Sequence, residues 1–305
     1  MSDTNLDLTS ADIHRLFEEC SNWGRWGEED QRGALNYITE KQVQKAASLV
    51  TRGITVGCGL PLATKPSPEN PRPVTHVMES AGDFDEDPYD YIGLSYHGFA
   101  HTHIDALCHV FYKDYIYNGF PKSSVTSHGA TVAAIDVARH GVVGRGVLLD
   151  IPRSTGKDWL DPGTPILTED LERAEKESGV QVGEGDILLV RNGRHTRAAA
   201  GEPVTGVVPV AGLHASTLPW LHDRKISVLG SDAVNDVLPS RVSDYRPPIH
   251  GIAIPAMGVH LLDNANFDNL AESCAQHGQW EFQFVISPWF LRGGTGSPVN
   301  PVAIF

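Results

Sequence analysis

Two stretches of helical periodicity open the chain. Ile13, Leu16 and Phe17 recur at three- and four-residue spacing within 10–20, and Val43, Ala46, Ala47 and Val50 do the same further on. The second run follows Thr39-Glu40-Lys41-Gln42, a capping-box pattern that satisfies the free backbone donors of a helix start. Between the two runs, Trp23-Gly24-Arg25-Trp26-Gly27 predicts turns, so residues 1–55 form an N-terminal helical segment. Residues 59–91 are rich in Pro, Asp and Glu and show little periodicity, which predicts a long surface loop and a candidate lid. From residue 131 the pattern changes. The apolar runs 146–150, 186–190 and 226–230 alternate with helical patterns near 169–176, 211–224 and 267–276. Strands that are apolar on both faces need cover on both, which favours an α/β architecture over a sandwich. No repeat at a fixed period and no linker interrupts the pattern, so a single domain spanning 1–305 is expected.

Composition narrows the classes of partner. The 305 residues are 41% hydrophobic and 20% charged, as in soluble globular proteins. Thirty-eight acidic against 24 basic residues give a formal charge of −14, which disfavours a grip on nucleic acid or an anionic membrane surface. No run of roughly 18 apolar residues could span a bilayer, and the first residues lack a basic start and apolar stretch, so a cytoplasmic location is expected. Cys20, Cys58, Cys108 and Cys274 are scattered without a C-x-x-C pair, which predicts reduced thiols and no zinc knuckle.

The chemistry concentrates in one place. Of 14 histidines, His97, His101, His103 and His109 fall within thirteen residues together with Asp105. If 96–105 is extended, positions 97, 101, 103 and 105 share one face of the strand, so several donors converge locally. Imidazole and carboxylate together suit zinc, manganese or ferrous iron, and a catalytic site needs about three protein ligands with a position left for water. The competing signals are weaker. No G-x-S-x-G elbow frames a serine, Cys108 reads as a buried structural thiol, and His260 in its apolar run reads as a satisfied core residue.

His101-Thr102-His103-Ile104-Asp105-Ala106-Leu107-Cys108-His109 resembles the H-x-G-T-H-x-D-x-P-x-H signature of the metal-dependent cyclase hydrolases, the group that includes bacterial kynurenine formamidase and isatin hydrolase. The likeness extends through 146–150, 185–191 and 228–232, and through Pro248-Ile249-His250 and Gly258-Val259-His260-Leu261-Leu262-Asp263-Asn264. The opening 23–27 and Gly33-Ala34-Leu35-Asn36 look like the longer bacterial branch.

The resemblance implies a swivelling β/β/α fold with a mixed or barrel-like sheet, and a divalent metal, Zn2+ or Mn2+. It implies His103 and Asp105 as ligands, His250 closing the site from a distance, and Asp263 in the slot of a late glutamate. His109 becomes either a ligand for a second metal or the acid/base group, and the latter is preferred here. The family's first histidine falls on Phe99, so His97 or His101 must replace it. On an ideal strand His101 lies roughly 7 Å from His103 and His97 roughly 20 Å, which favours His101 unless a bulge or turn at Gly98 brings His97 inward. Trp26, Tyr96, Phe99 and Phe111 are candidates for an aromatic pocket wall. The implied activity is hydrolysis of a small amide, cyclic amide or imide, aryl formamide or lactone, by a homodimer or homotetramer. A metal-dependent lyase or dehydratase and a non-catalytic metal-binding protein are the alternatives.

Overall fold

The apolar run near residue 146 becomes the longest strand of the main sheet, Val142–Asp150, and its neighbours explain its composition. A computed structural model of the chain describes residues 6–82, 87–202, 208–242 and 247–305. Its main sheet has nine strands: Thr55–Gly57 (β1), His103–Asp105 (β2), Val142–Asp150 (β3), Ile187–Arg191 (β4), Val228–Ser231 (β5), His260–Asp263 (β6), Glu281–Ile286 (β7), Gly296–Pro298 (β8) and Val302–Ile304 (β9). Their spatial order is β1-β9-β7-β3-β4-β5-β6-β2-β8, and the sheet curls into a half-barrel flanked by helices.

The centre is parallel. β3 pairs with β4, β4 with β5 and β5 with β6 in parallel, whereas all pairs outside this block are antiparallel. All five residues of β4 and all four of β5 and of β6 are buried, as expected for strands covered on both faces. The cross-strand contact with β7 dictates glycine at one position in β3: Gly146 stands opposite Phe282, and a Cβ on it would lie 2.5 Å from that ring.

Helical expectations transfer well. Helices cover Ser10–Glu19, Glu40–Ser48, Thr168–Ser178 and Asp268–His277, each close to the span read from periodicity. Two expectations are corrected. Residues 211–224 are not one helix: Gly212–Leu213 pairs as a short strand with Pro165–Ile166, a 3-10 turn covers Ala215–Thr217, and the helix is confined to Leu218–Asp223. Residues 59–91 are not all loop, because Thr75–Ser80 pairs antiparallel with Tyr89–Gly93. That hairpin leaves Val77, Met78, Tyr89, Tyr91 and Ile92 exposed. Among the described residues, none of 59–91 lines the cavity that holds the histidine cluster.

The parallel block delivers polar residues to its carboxyl ends. Asp150, Arg191, Ser231 and Asp263 close β3, β4, β5 and β6. Arg191 is 7% exposed and bonds Asp150 and Asp268, each at 3.0 Å, which ties the ends of β3 and β4 to the start of the helix Asp268–His277. Such strand ends are where α/β sheets carry their ligand sites.

Candidate metal centre

β2 lies between β6 and β8, and its register decides what meets. Asp263 stands directly opposite His103, and Leu262 opposite Ile104. Alternation then sends His103 and Asp105 to the face where Asp263 projects, while Ile104 enters the core. A cross-strand pair thus brings a carboxylate from residue 263 to the motif around residue 103. His103, Asp105 and Asp263 are all buried, and one ligand atom from each lies within 4.8 Å of the others.

A second group of three shares Asp105. His97, Asp105 and His109 satisfy the same distance condition. The two carboxylate oxygens of Asp105 divide the histidines: Oδ1 lies 2.9 Å from His97 Nδ1 and 3.5 Å from His103 Nε2, whereas Oδ2 lies 3.9 Å from His109 Nε2 and 3.6 Å from His250 Nε2. The His97 and His109 rings stack at 3.9 Å with an interplanar angle of 1°.

The route by which His97 arrives differs from the strand expectation. Only His103–Asp105 is strand, and the chain bends through 97–101 with Gly98 at φ 122. Asn264 holds that bend, its amide donating to the Gly98 carbonyl at 2.7 Å and to the His101 carbonyl at 3.3 Å. The bend at Gly98 is the alternative the sequence leaves open, and it brings His97 to Asp105. His97 joins the cluster, and His101 belongs to neither donor group. His101 is buried with neither ring nitrogen bonded, and it faces a different cavity.

The donor set fits a divalent ion. Both oxygens of Asp105 and Nδ1 of His97 are buried without an aligned hydrogen-bond partner, although they approach one another. Left without such a partner, buried polar atoms of this kind are costly, and a cation accounts for them together. The outer contacts set the tautomers a metal would need. His103 Nδ1 donates to the His101 carbonyl at 2.8 Å, which leaves Nε2 as the nitrogen that faces Asp105. His97 Nε2 meets the Thr295 hydroxyl at 3.0 Å and leaves Nδ1 inward. Burial pushes the His109 imidazole down to about 4, with Asp105 opposing, so that ring stays neutral. Asp105 is held below the usual carboxylate range, because His109, His97 and His103 outweigh the effect of its burial.

His250 arrives from the short helix Pro248–Ala253, and Asp236 positions it. Asp236 accepts the backbone N–H groups of Ile249 and His250 at 2.7 and 3.1 Å and the His250 Nδ1–H at 2.6 Å. His250 Nε2 then points into the cavity, 3.1 Å from Asp263 Oδ2. Burial lowers the His250 pKa, yet Asp263 and Asp236 win and hold it well above the ordinary imidazole value. Asp263 Oδ1 is fixed by the Asn235 side-chain amide at 2.6 Å.

Asp236 and Asn235 hold His250 and Asp263 in place and carry no signal in the sequence, whereas Asn264 stands in the matched C-terminal element with no role attached to it. The neighbouring Asp232 accepts the Asn192 and Gly193 N–H groups at 2.7 and 2.8 Å, which leaves Asp236, four residues on, as the carboxylate that reaches the site. We expect Asp236→Asn to lower metal affinity or turnover by about 10- to 100-fold while the far-ultraviolet circular dichroism is unchanged. Parallel metal analysis and rate measurement check this.

The cavity around these groups has a volume of about 240 Å3. His97, His103, Asp105, His109, His250 and Asp263 form its polar side, and Phe99, Val110, Val234, Leu238 and Pro247 its apolar side. Of the four aromatic candidates, Phe99 alone lines it. Tyr96 braces the bend by donating to the Gly296 carbonyl at 2.9 Å, Trp26 packs edge-on against Tyr37, and Phe111 is exposed. His260 is fully buried as expected of a core residue, but neither ring nitrogen is bonded.

The curled α/β sheet carries a buried histidine and carboxylate cluster that could hold a metal ion, and comparison supplies the family. The model of the cyclase family, described as "Putative cyclase", matches residues 34–235. The chain belongs to that family. It is similar to a protein described as a novel cyclase, with 32% identity over 95% of this chain and 99% of the other and a TM-score of 0.83. It shares its fold with isatin hydrolase A from Ralstonia solanacearum, at 17% identity over 87% of this chain and 97% of the other, TM-score 0.59. A "predicted metal-dependent hydrolase" from Bacillus stearothermophilus aligns at 14% identity over 83% and 98% of the two chains, TM-score 0.52. None of the curated proteins matches. No helix among the described residues is long and apolar enough to cross a membrane.

Proposed function

We propose that this chain is a metal-dependent hydrolase that opens a small amide, cyclic amide or imide, aryl formamide or lactone. The observation that carries the reading is the pair of buried donor groups that share Asp105 beside a cavity with one polar and one apolar side. The chain's similarity in fold to a protein described as isatin hydrolase A supports the hydrolase reading. His97, Asp105 and His109 form one group, and His103, Asp105 and Asp263 another, either of which would hold a divalent ion, Zn2+ or Mn2+. Bound there, such an ion supplies a Lewis acid for a carbonyl and makes water acidic enough to act near neutral pH.

The chain's own residues do the rest. His250 is placed to handle the proton, because Asp236 fixes its Nδ1 and Nε2 faces the cavity. That assignment exchanges roles with His109, which stacks on His97 and stands among the donors. Phe99, Val234 and Leu238 exclude water from one side of the substrate and favour an apolar ring there. The small volume suits a compact substrate, since ordinary ligand sites span roughly 300–1,000 Å3.

Hydrolysis is distinguished from elimination or dehydration by the origin of oxygen. In water labelled with 18O, turnover of an aryl formamide, cyclic imide or lactone is expected to place one labelled oxygen in the carboxylate product. Turnover without label in the product contradicts hydrolysis.

A further inference from the structure

A second cavity, about 260 Å3, lies across the bend 97–99 from the first, and His97, Gly98 and Phe99 line both. These three residues form the partition between them. Polar and charged residues contribute to the lining of the second cavity, Glu69, Asn70, Arg72 and His101 among them. His101 is 2% exposed and neither of its ring nitrogens has a partner. A polar group so placed is unsatisfied until something bonds it.

Of the three residues of the partition, Phe99 alone carries an apolar side chain. Phe99 packs outside the main core, in a small cluster with Val210, Ala233, Val234 and Leu238. Val234 and Leu238 belong to the wall of the metal-side cavity, so this cluster is the apolar side of the candidate site. The backbone beside it has room, since a Cβ built on Gly98 would meet nothing within 4 Å.

We propose that Phe99 is the specificity-determining residue of the site. Its ring ends the substrate space, so only compact substrates fit, and it seals off a subsite able to take a hydrogen-bonding substituent such as a hydroxyl or carboxamide. This rests on the hydrolase reading above. Removing the ring would join the two cavities and roughly double the room beside the scissile carbonyl.

The test compares a compact aryl formamide or lactone with the same scaffold carrying a carboxamide arm, on the metal-loaded protein and on Phe99→Ala and Phe99→Leu. The parent is expected to favour the compact member by about tenfold or more in kcat/KM, and Phe99→Ala to reverse that order with metal content unchanged. Phe99→Leu falls between them and serves as the reading if Phe99→Ala does not fold. Replacing His101 by Leu in the Phe99→Ala background is expected to remove the gain for the carboxamide arm and to spare the gain for an isosteric apolar arm. An unchanged substrate ratio in folded, metal-loaded variants overturns the proposal, as does a parent that takes both members equally. The same ratio is read by calorimetry with an uncleavable lactam pair. A protein that binds the pair selectively but turns over none of the panel therefore defeats the hydrolase reading and leaves the partition supported. Equal binding of the pair by parent and variant defeats the partition itself.

Discussion

Asp105→Asn is expected to lower kcat/KM by roughly 1,000-fold or more and to release the bound metal, because Asp105 alone contributes to both donor groups. Asparagine keeps the shape and removes the charge. It offers one carbonyl oxygen where two carboxylate oxygens now face His97 and His103 on one side and His109 and His250 on the other. An isosteric change therefore separates ligation from packing. His103→Ala is expected to lose metal and turnover too, since Nε2 is its only nitrogen facing the cluster. Metal analysis of dialysed protein, with rates on the same samples, checks both. Retention of one equivalent of metal by Asp105→Asn would remove Asp105 from the centre.

The largest expected effect on stability lies outside the site. Arg191 is buried between Asp150 and Asp268, and Asp232 also contributes to raising its pKa. Arg191→Ala leaves the buried Asp150 carboxylate without its cation, which typically costs about 3–5 kcal/mol. In thermal denaturation this corresponds to a fall of roughly 10 °C. No residue of the candidate centre bonds Arg191, so metal content below the transition is expected to stay at the parental level. Loss of metal in the folded variant would contradict that separation.

The strands around residues 146, 187 and 228 were readable because burial on both faces leaves a continuous apolar signature in the chain itself. His103 and Asp105 were readable for a related reason: strand alternation is local, and β2 keeps it. His97 was not, because its position depends on a bend at Gly98 that Asn264 secures from the far side of the chain. Distance along an ideal strand favoured His101, and the bend reverses that order. Asp236 left no local signal either, since its role is to cap and orient the short helix that carries His250. The hairpin at 75–93 was hidden by its polar and proline-rich surroundings, and by the exposure of both its faces, which removes the alternation that marks a half-buried strand. Phe99 stood out in the sequence as a departure from the expected motif, and the structure gives it a place in the cavity wall.

The dependence on metal is tested most directly by stripping the protein exhaustively with a chelator and titrating Zn2+ or Mn2+ back while following turnover of a formamide, imide or lactone. Activity is expected to vanish on stripping and to return in proportion to the metal bound at the cluster, with Asp105→Asn showing no return. Full turnover by protein shown to be free of metal would contradict the assignment of this cluster as a catalytic metal centre.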